Sequence, residues 1–319
     1  MTACALSPGA LLAQQVVDTA FVPVRPTMPA YAPGRGPLVL VDEAHNNLHT
    51  RTGRFAPFAR LLESDGFVVA ENRSRFTRAD LATARVLVIA NALHASVRQT
   101  SDMRLPVRAA FDSTEIRELA AWVRSGGSLL LIADHMPYAG AAADLAAEFG
   151  VLFANGFVEP PHGAERCTRD FVITYRRSDG SLRPSAITMP AQNAPPVDSV
   201  TTFTGSAFRL APGVTGEALL QIQRGKLWMP LAPWAFGDTV PSTAADGMLQ
   251  GAALHVGRGR VAVFGEAAMF TAQRKCPERL PMGFNSPAAG QNTQFILDVV
   301  RWLGAVTSRT STLRPEVPR

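Results

Sequence analysis

The sequence predicts an α/β fold: a three-layer parallel sheet of strand order 2-1-3-4-5, with an irregular, β-rich insertion between strands four and five. Three observations predict it. Short, continuously apolar runs recur along the chain, as strands buried on both faces require. Segments of helical periodicity separate them, the rhythm of a parallel sheet covered on both sides. That rhythm breaks between about 155 and 250, where Pro, Gly, Thr and Phe accumulate. With 319 residues, 47% hydrophobic and only 18% charged, the chain can fill a core, which excludes wholesale disorder and coiled coil.

Taken in order, Gly36 and Pro37 punctuate the chain before Leu38, Val39, Leu40 and Val41, an apolar run that stops at Asp42 and reads as strand one. Phe55, Phe58, Ala59 and Leu62 have helical spacing, and Asp65-Gly66 ends that helix. Phe67 to Ala70 is strand two. A short helical or turn segment follows at 79–84, and Val86 to Ala90 is strand three, ending at Asn91. Asp112 and Glu115 form a capping-box pair ahead of Ile116, Leu119, Ala120 and Val123, one apolar helix face. Gly126-Gly127 stops it, and Ser128 to Ala133 is strand four, ending at Asp134-His135. A helix over 141–149 closes at Gly150. Gly259 to Gly265 is strand five, ending at Glu266, and a last helix runs from Asn292 to Leu303 with Phe295, Ile296, Val299 and Val300 on one side. Within the insertion, Phe171 to Tyr175 and Leu219 to Ile222 read as short antiparallel strands.

In this flavodoxin-like arrangement, ligands bind outside the carboxyl ends of the strands. The chemistry-bearing residues sit at those ends. Asp42, Glu43, His45, Asn46, Asn47 and His49 follow strand one; Asn91 and His94 follow strand three; Asp134 and His135 follow strand four; Glu266 follows strand five; Asn292 opens the last helix. Carboxylates directly behind apolar strands need a cation, a metal or a proton beside them. Mixed carboxylate and imidazole donors suit zinc, manganese or iron, so Asp42, His45, His49, Asp134, His135 and Glu266 are the candidate set for a divalent metal that would activate water. His45 and His49 are four apart, without the Glu of the zincin pattern. Without metal, Asp134 and His135 are candidates for an acid/base pair. The plainer alternative is that these groups cap loops and helix starts. No Gly-x-Ser-x-Gly elbow is present, and Gly257-Arg258-Gly259 precedes a strand, which makes it a turn and not a phosphate cradle.

The net charge of +5 is spread out and includes tail arginines at 309, 314 and 319; no basic run with interleaved aromatics points to nucleic acid. No stretch approaches the ~20 apolar residues of a membrane span. Residues 1–15 resemble the end of a secretory signal without its basic start, so a periplasmic or secreted location is expected, with a cytoplasmic one as the alternative. If they are cleaved, Cys4 leaves, and Cys167 and Cys276 remain as a candidate disulfide or as two unrelated buried thiols. Residues 16–37 carry five prolines and read as an extended leader lying on or off a single domain at 38–304, with a basic tail after it.

Four segments carry a resemblance: V-D-E-A-H-N-N-L-H at 41–49, W-V-R-S-G-G-S-L-L-L-I-A-D-H-M-P at 122–137, G-R-G-R-V-A-V-F-G-E-A-A-M-F-T-A-Q at 257–273 and Q-N-T-Q-F at 291–295. In these the chain resembles the class I glutamine amidotransferase-like superfamily, in the bacterial branch related to gliding-motility auxiliary proteins and the GIFT domain of intraflagellar transport. The resemblance covers about 38–152 and 250–304. Amidotransferases of that superfamily place a nucleophilic Cys at the strand-four elbow; here Asp134 and His135 stand there. The resemblance thus implies a fold without glutaminase chemistry, and a small polar or carbohydrate ligand at the strand ends. A metal-dependent hydrolase built on the carboxylate and histidine set is the second expectation. A protein-interaction module is the third, with Phe203, Phe208, Trp228, Trp234 and Phe236 of the insertion as docking aromatics.

Overall fold

The structure is a computed structural model that describes residues 15–159, 172–190, 195–275 and 279–305. Cys4, Cys167 and Cys276, nearly all of the signal-like stretch and the tail arginines lie outside the described residues. Seventeen strands are present among the described residues. The first nine in chain order are β1 (Gln15–Val17), β2 (Leu38–Asp42), β3 (Val68–Asn72), β4 (Val86–Ala90), β5 (Ser128–Ile132), β6 (Val151–Ala154), β7 (Phe157–Glu159), β8 (Val172–Arg176) and β9 (Ser199–Phe203). Then come β10 (Ala207–Leu210), β11 (Glu217–Gln221), β12 (Lys226–Trp228), β13 (Ser242–Ala244), β14 (Leu249–Val256), β15 (Gly259–Phe264), β16 (Ala272–Lys275) and β17 (Leu280–Gly283). The helices are α1 (Ala56–Ser64), α2 (Arg78–Leu81), α3 (Ser113–Arg124), α4 (Tyr138–Ala141), α5 (Ala143–Glu148) and α6 (Asn292–Gly304).

The expected flavodoxin-like parallel sheet is corrected. The main sheet has nine strands in the order β3-β2-β4-β5-β15-β14-β10-β6, with β11 also on β14. It is mixed and curls into a half-barrel. β3, β2, β4, β5 and β15 run parallel, whereas β14, β10, β6 and β11 are all antiparallel to their neighbours. The cause is local. Gly257 and Arg258 alone connect Val256 to Gly259, and Gly257 has φ 59°. A two-residue hairpin with glycine at its first turn position forces the preceding segment to lie antiparallel. Strands of the supposed insertion therefore extend the main sheet. Others form small antiparallel sheets, β13-β12-β7 and β8-β9.

The parallel strands alternate their side chains between two cores, as period-two geometry demands. Val39, Val88, Leu130 and Phe264 face α1 and α6 in one core, with Phe58, Leu62, Phe295 and Val299. Leu40, Leu87, Leu131 and Val263 face α3 and α5 in the other, with Leu119, Val123 and Leu145. Asp112 caps α3 through Thr114 N at 2.8 Å and Glu115 N at 2.9 Å, and Glu115 closes the capping box. The helix expected over 141–149 is instead two short ones, α4 and α5. The leader lies on the domain: β1 pairs with β16, and Tyr31 packs edge-on against Phe67 at 5.1 Å. Asp65, fully buried, accepts two bonds from Arg301 of α6 at 2.6 and 2.8 Å and also holds Ala30 N. Among the described residues no helix is long and apolar enough to cross a membrane.

Candidate functional site

Because β2, β4, β5 and β15 are parallel neighbours, their carboxyl ends share one edge. Asn91 turns the chain after β4 with φ 52°, and its side-chain oxygen accepts Asp134 N at 2.9 Å, tying two strand ends together. Ser206 Oγ donates to Ala133 O at 3.0 Å, and Ser206 N donates to Gly265 O at 2.7 Å, which seats the 204–206 turn between β5 and β15.

The strand-end residues divide into two groups. The first is closed on itself. His45 Nδ1 meets Asp42 Oδ2 at 2.9 Å, and its Nε2 meets Glu115 Oε1 at 2.9 Å. Its ring sits between Phe76 and Phe111, at 4.5 and 4.8 Å. Burial alone would depress the His45 imidazole, but hydrogen bonds and charge from Asp42 and Glu115 outweigh it and raise the pKa. Asp42 also accepts from Asn47 at 3.0 Å and Asn72 at 3.3 Å. Glu43 accepts Arg51 N at 2.9 Å, and Asn46 donates to Val97 O at 2.9 Å. His94 Nδ1 pairs with Ser96 Oγ at 2.7 Å. Asn292 brackets Thr201 of β9, accepting its N–H at 2.9 Å and donating to its carbonyl at 2.7 Å. Asp42, Glu43, His45, Asn46 and Asn292 therefore hold loops in place. The six-residue metal set is split, since both ring nitrogens of His45 are bonded to carboxylates. Among the described residues no group of three or more His, Cys, Asp or Glu is arranged to hold a metal ion.

The second group clusters at the same edge: His49, Arg54, Asp134, His135, Tyr138 and Glu266, each within electrostatic reach of another. Glu266 is fully buried and accepts Ala268 N at 2.6 Å and Met269 N at 2.8 Å, so it caps the turn after β15. Burial, with the Asp134 charge nearby, nonetheless pushes its carboxyl well above the usual range. His49 is 2% exposed. Burial, then the charges of Arg54 and His135, hold its imidazole neutral. Its Nδ1 has no hydrogen-bond partner among the described residues, and neither has Asn91 Nδ2. Burial and Asp134 raise the Tyr138 phenol. Asp134 Oδ1 accepts His135 N at 2.7 Å, and no cation lies within ion-pair distance of Asp134 among the described residues.

An aromatic wall adjoins these groups. His135 stacks on Phe157 at 4.3 Å and 15°, with the Trp234 ring edge-on at 5.0 Å and Tyr138 at 5.9 Å. Phe236 meets Phe157 at 5.1 Å. His135 Nδ1 donates to Met136 O at 2.7 Å when the ring is neutral, which leaves Nε2 as its acceptor. A separate cavity of about 280 Å³ lies between Leu93, Val97, Met103, Val107 and Pro137, and none of the six clustered groups lines it. Of the insertion aromatics, Phe203 and Phe208 are core residues, while Trp234 and Phe236 belong to this wall.

Sequence reading missed Arg54, Tyr138 and Phe157. Tyr138 had a signal, since it follows Asp134 by one helical turn. Arg54 had none, standing in a turn among ordinary polar residues.

No protein-family model matches the chain, and no curated protein matches it. Solved structures do. The N-terminal domain of mmIFT52 superposes with a TM-score of 0.56 at 14% identity, over 84% of this chain and 98% of that one. A cytoplasmic protein from Salmonella typhimurium LT2 gives 0.45 at 14% identity, over 84% and 99%. A ThuA-like protein from Bacteroides uniformis gives 0.44 at 12% identity, over 86% and 93%. At these identities the first likeness is one of fold alone.

Proposed function

We propose that the chain binds a small polar ligand of carbohydrate type in the crevice at the carboxyl ends of β4, β5 and β15, and is not an amidotransferase. The observation that carries this is the half-buried Asp134 carboxylate, which makes no ion pair among the described residues, beside the partly exposed His135 and Trp234 rings. A carboxylate held at a strand end without a cation, next to aromatic rings, is the kind of polar group in an apolar setting that orients a bound ligand. A ring bearing hydroxyls can donate to Asp134 and lay an apolar face on Trp234, which Phe157 backs from the core. Amphipathic aromatics serve that purpose where one side is apolar and the other wet. Against amidotransferase chemistry stands Asp134, in the position where that chemistry sets a cysteine.

The test is a thermal-shift panel of neutral and acidic monosaccharides, disaccharides and polyols against the wild type and Asp134→Asn. A binder at about one hundred times its Kd adds about 2.7 kcal/mol to stability, several degrees in melting temperature. At least one saccharide is expected to raise the wild-type midpoint so, and to do markedly less for Asp134→Asn. A panel that leaves the wild type unmoved, or moves both proteins alike, overturns the reading.

A further inference from the structure

Arg54 is tied through Gln273 and Thr271 to the turn that follows β15, beside Glu266, and most of its guanidinium is uncommitted. The side chain is largely buried, and burial lowers its pKa; only the more distant Asp134 and Tyr138 offset that. Its partners within the protein are neutral. Nη1 donates to Gln273 Oε1 at 2.8 Å and to Gln15 Oε1 at 3.3 Å. Gln273, 1% exposed, is itself oriented, because its amide nitrogen donates to Thr271 Oγ1 at 2.8 Å, and Thr271 Oγ1 donates to Ala268 O at 2.8 Å. That relay turns the amide oxygen toward Arg54 and fixes the plane of the guanidinium.

Nε and Nη2 of Arg54 make no hydrogen bond within the described residues, and neither is among the buried unpartnered atoms, so this edge opens to accessible space. It is an edge that a planar carboxylate meets with two parallel bonds. Other semi-buried arginines are engaged differently. Arg301 has such a carboxylate in Asp65. Arg85 uses both terminal nitrogens on the carbonyls of Gly126 and Ala305. Arg54 is held by one nitrogen and presents the rest. Asp134, at the end of the neighbouring β5, makes no ion pair with Arg54 and places a negative charge at the same edge of the sheet.

We propose that the ligand of this crevice carries one carboxylate, held by the Nε–Nη2 edge of Arg54, with its hydroxyls directed to Asp134: a sugar acid of the uronate class. This rests on the ligand reading above and deepens it. The orientation follows from charge. An anionic end beside Asp134 is repelled and beside Arg54 is paired, so a dicarboxylate, with an anion at each end, is excluded.

The experiment is isothermal titration of the intact chain with glucuronate and galacturonate, with their neutral parents glucose and galactose, with the uronate methyl esters and with galactarate. A hydrogen-bonded charge pair of this kind corresponds to about tenfold or more in affinity. One acid is expected to bind at least tenfold more tightly than its parent and its methyl ester, with galactarate weaker than galacturonate. In Arg54→Gln, checked for folding by its melting curve, the ratio of acid to parent affinity is expected to fall to within twofold. An acid and parent that bind the wild type equally, or a galactarate that binds as tightly as galacturonate, overturn the carboxylate proposal and leave the carbohydrate reading standing. Failure of every sugar, neutral or acidic, overturns both. The wild-type comparisons need no variant, so a misfolded Arg54→Gln does not spare the proposal.

Discussion

His45 is the residue whose chemistry differs most from its appearance in the sequence. Beside Asp42, and four residues before His49, it reads as a metal ligand; in the fold it is a cation clamped between two carboxylates. Asp42 and Glu115 are nearly inaccessible, so removing the imidazole leaves Asp42 without a cation and Glu115 with Arg75 alone. Breaking a buried pair by deleting one partner costs about 3–5 kcal/mol. His45→Ala is therefore expected to lower stability by roughly 3 kcal/mol in denaturant titration, although it touches none of the crevice groups. The clamp also has a pH signature. The raised His45 pKa contributes stability that is complete below its unfolded value of 6.5 and is lost as pH rises through the folded value. Glu115, whose carboxyl burial would raise but which Arg75 and His45 hold low, contributes above its unfolded value of 4.5 and loses that contribution as pH falls through its lowered folded value. The stability lost in His45→Ala is thus expected to be greatest between about pH 4.5 and 6.5. A flat difference across that window and on into alkaline solution contradicts the clamp. The partner that settles the role of His45 is Glu115, 70 residues away, which no local spacing reveals.

At the scale of elements, α6 carries a testable imperfection. Its Asp298 is 5% exposed, and burial raises its pKa to about 6, although Gln294 donates to both oxygens at 2.9 Å and Arg301 lies at 3.5 Å. Between about pH 4 and 6 the native state keeps a proton that the unfolded chain has released, so stability falls as pH rises through that window. A carboxyl raised from 3.8 to about 6 corresponds to roughly 3 kcal/mol before the lost Arg301 contact is set against it. Asp298→Asn is expected to be more stable than the wild type by about 1–2 kcal/mol at about pH 8, with the gain vanishing near about pH 4. An equal or lower denaturant midpoint in the alkaline buffer contradicts the assignment. Which elements the sequence reveals follows the same logic of local information. The runs at 38–41, 86–90 and 129–132 are apolar throughout because both faces are buried, and the Asp112–Glu115 cap announces α3. Leu249–Val256 escapes because Gln250, Gly251 and His255 interrupt its apolar pattern. Gln250 is buried by bonding: it accepts from Tyr175 and Thr202 and donates to the carbonyls of Thr204 and Ser206. Thr204, at φ 103°, is left-handed backbone that a β-branched residue rarely adopts, and those bonds hold it there.

Over the whole molecule, the small antiparallel sheet β13-β12-β7, separate from the main sheet, supplies the aromatic wall. β7 supplies Phe157, and the loop after β12 supplies Trp234 and Phe236, so a parallel sheet alone would lack the aromatic wall. The placement of Asp134, His135, Asn91 and Glu266 at strand ends was legible in the sequence because they follow apolar runs. Arg54 and the wall were not, because tertiary packing alone brings them to the same edge. The central claim is that this edge binds a ligand, and the indole N–H signals of the four tryptophans can locate it. Trp302 stacks with Arg260 near the start of β15, at the opposite end of the sheet, and Trp122 is buried in α3. In a ¹H–¹⁵N correlation spectrum titrated with the saccharide that most stabilises the protein, the Trp234 indole signal is predicted to move saturably while Trp122 and Trp302 stay in place. A saturable shift confined to Trp122 or Trp302, or no indole shift at saturating saccharide, would contradict the account.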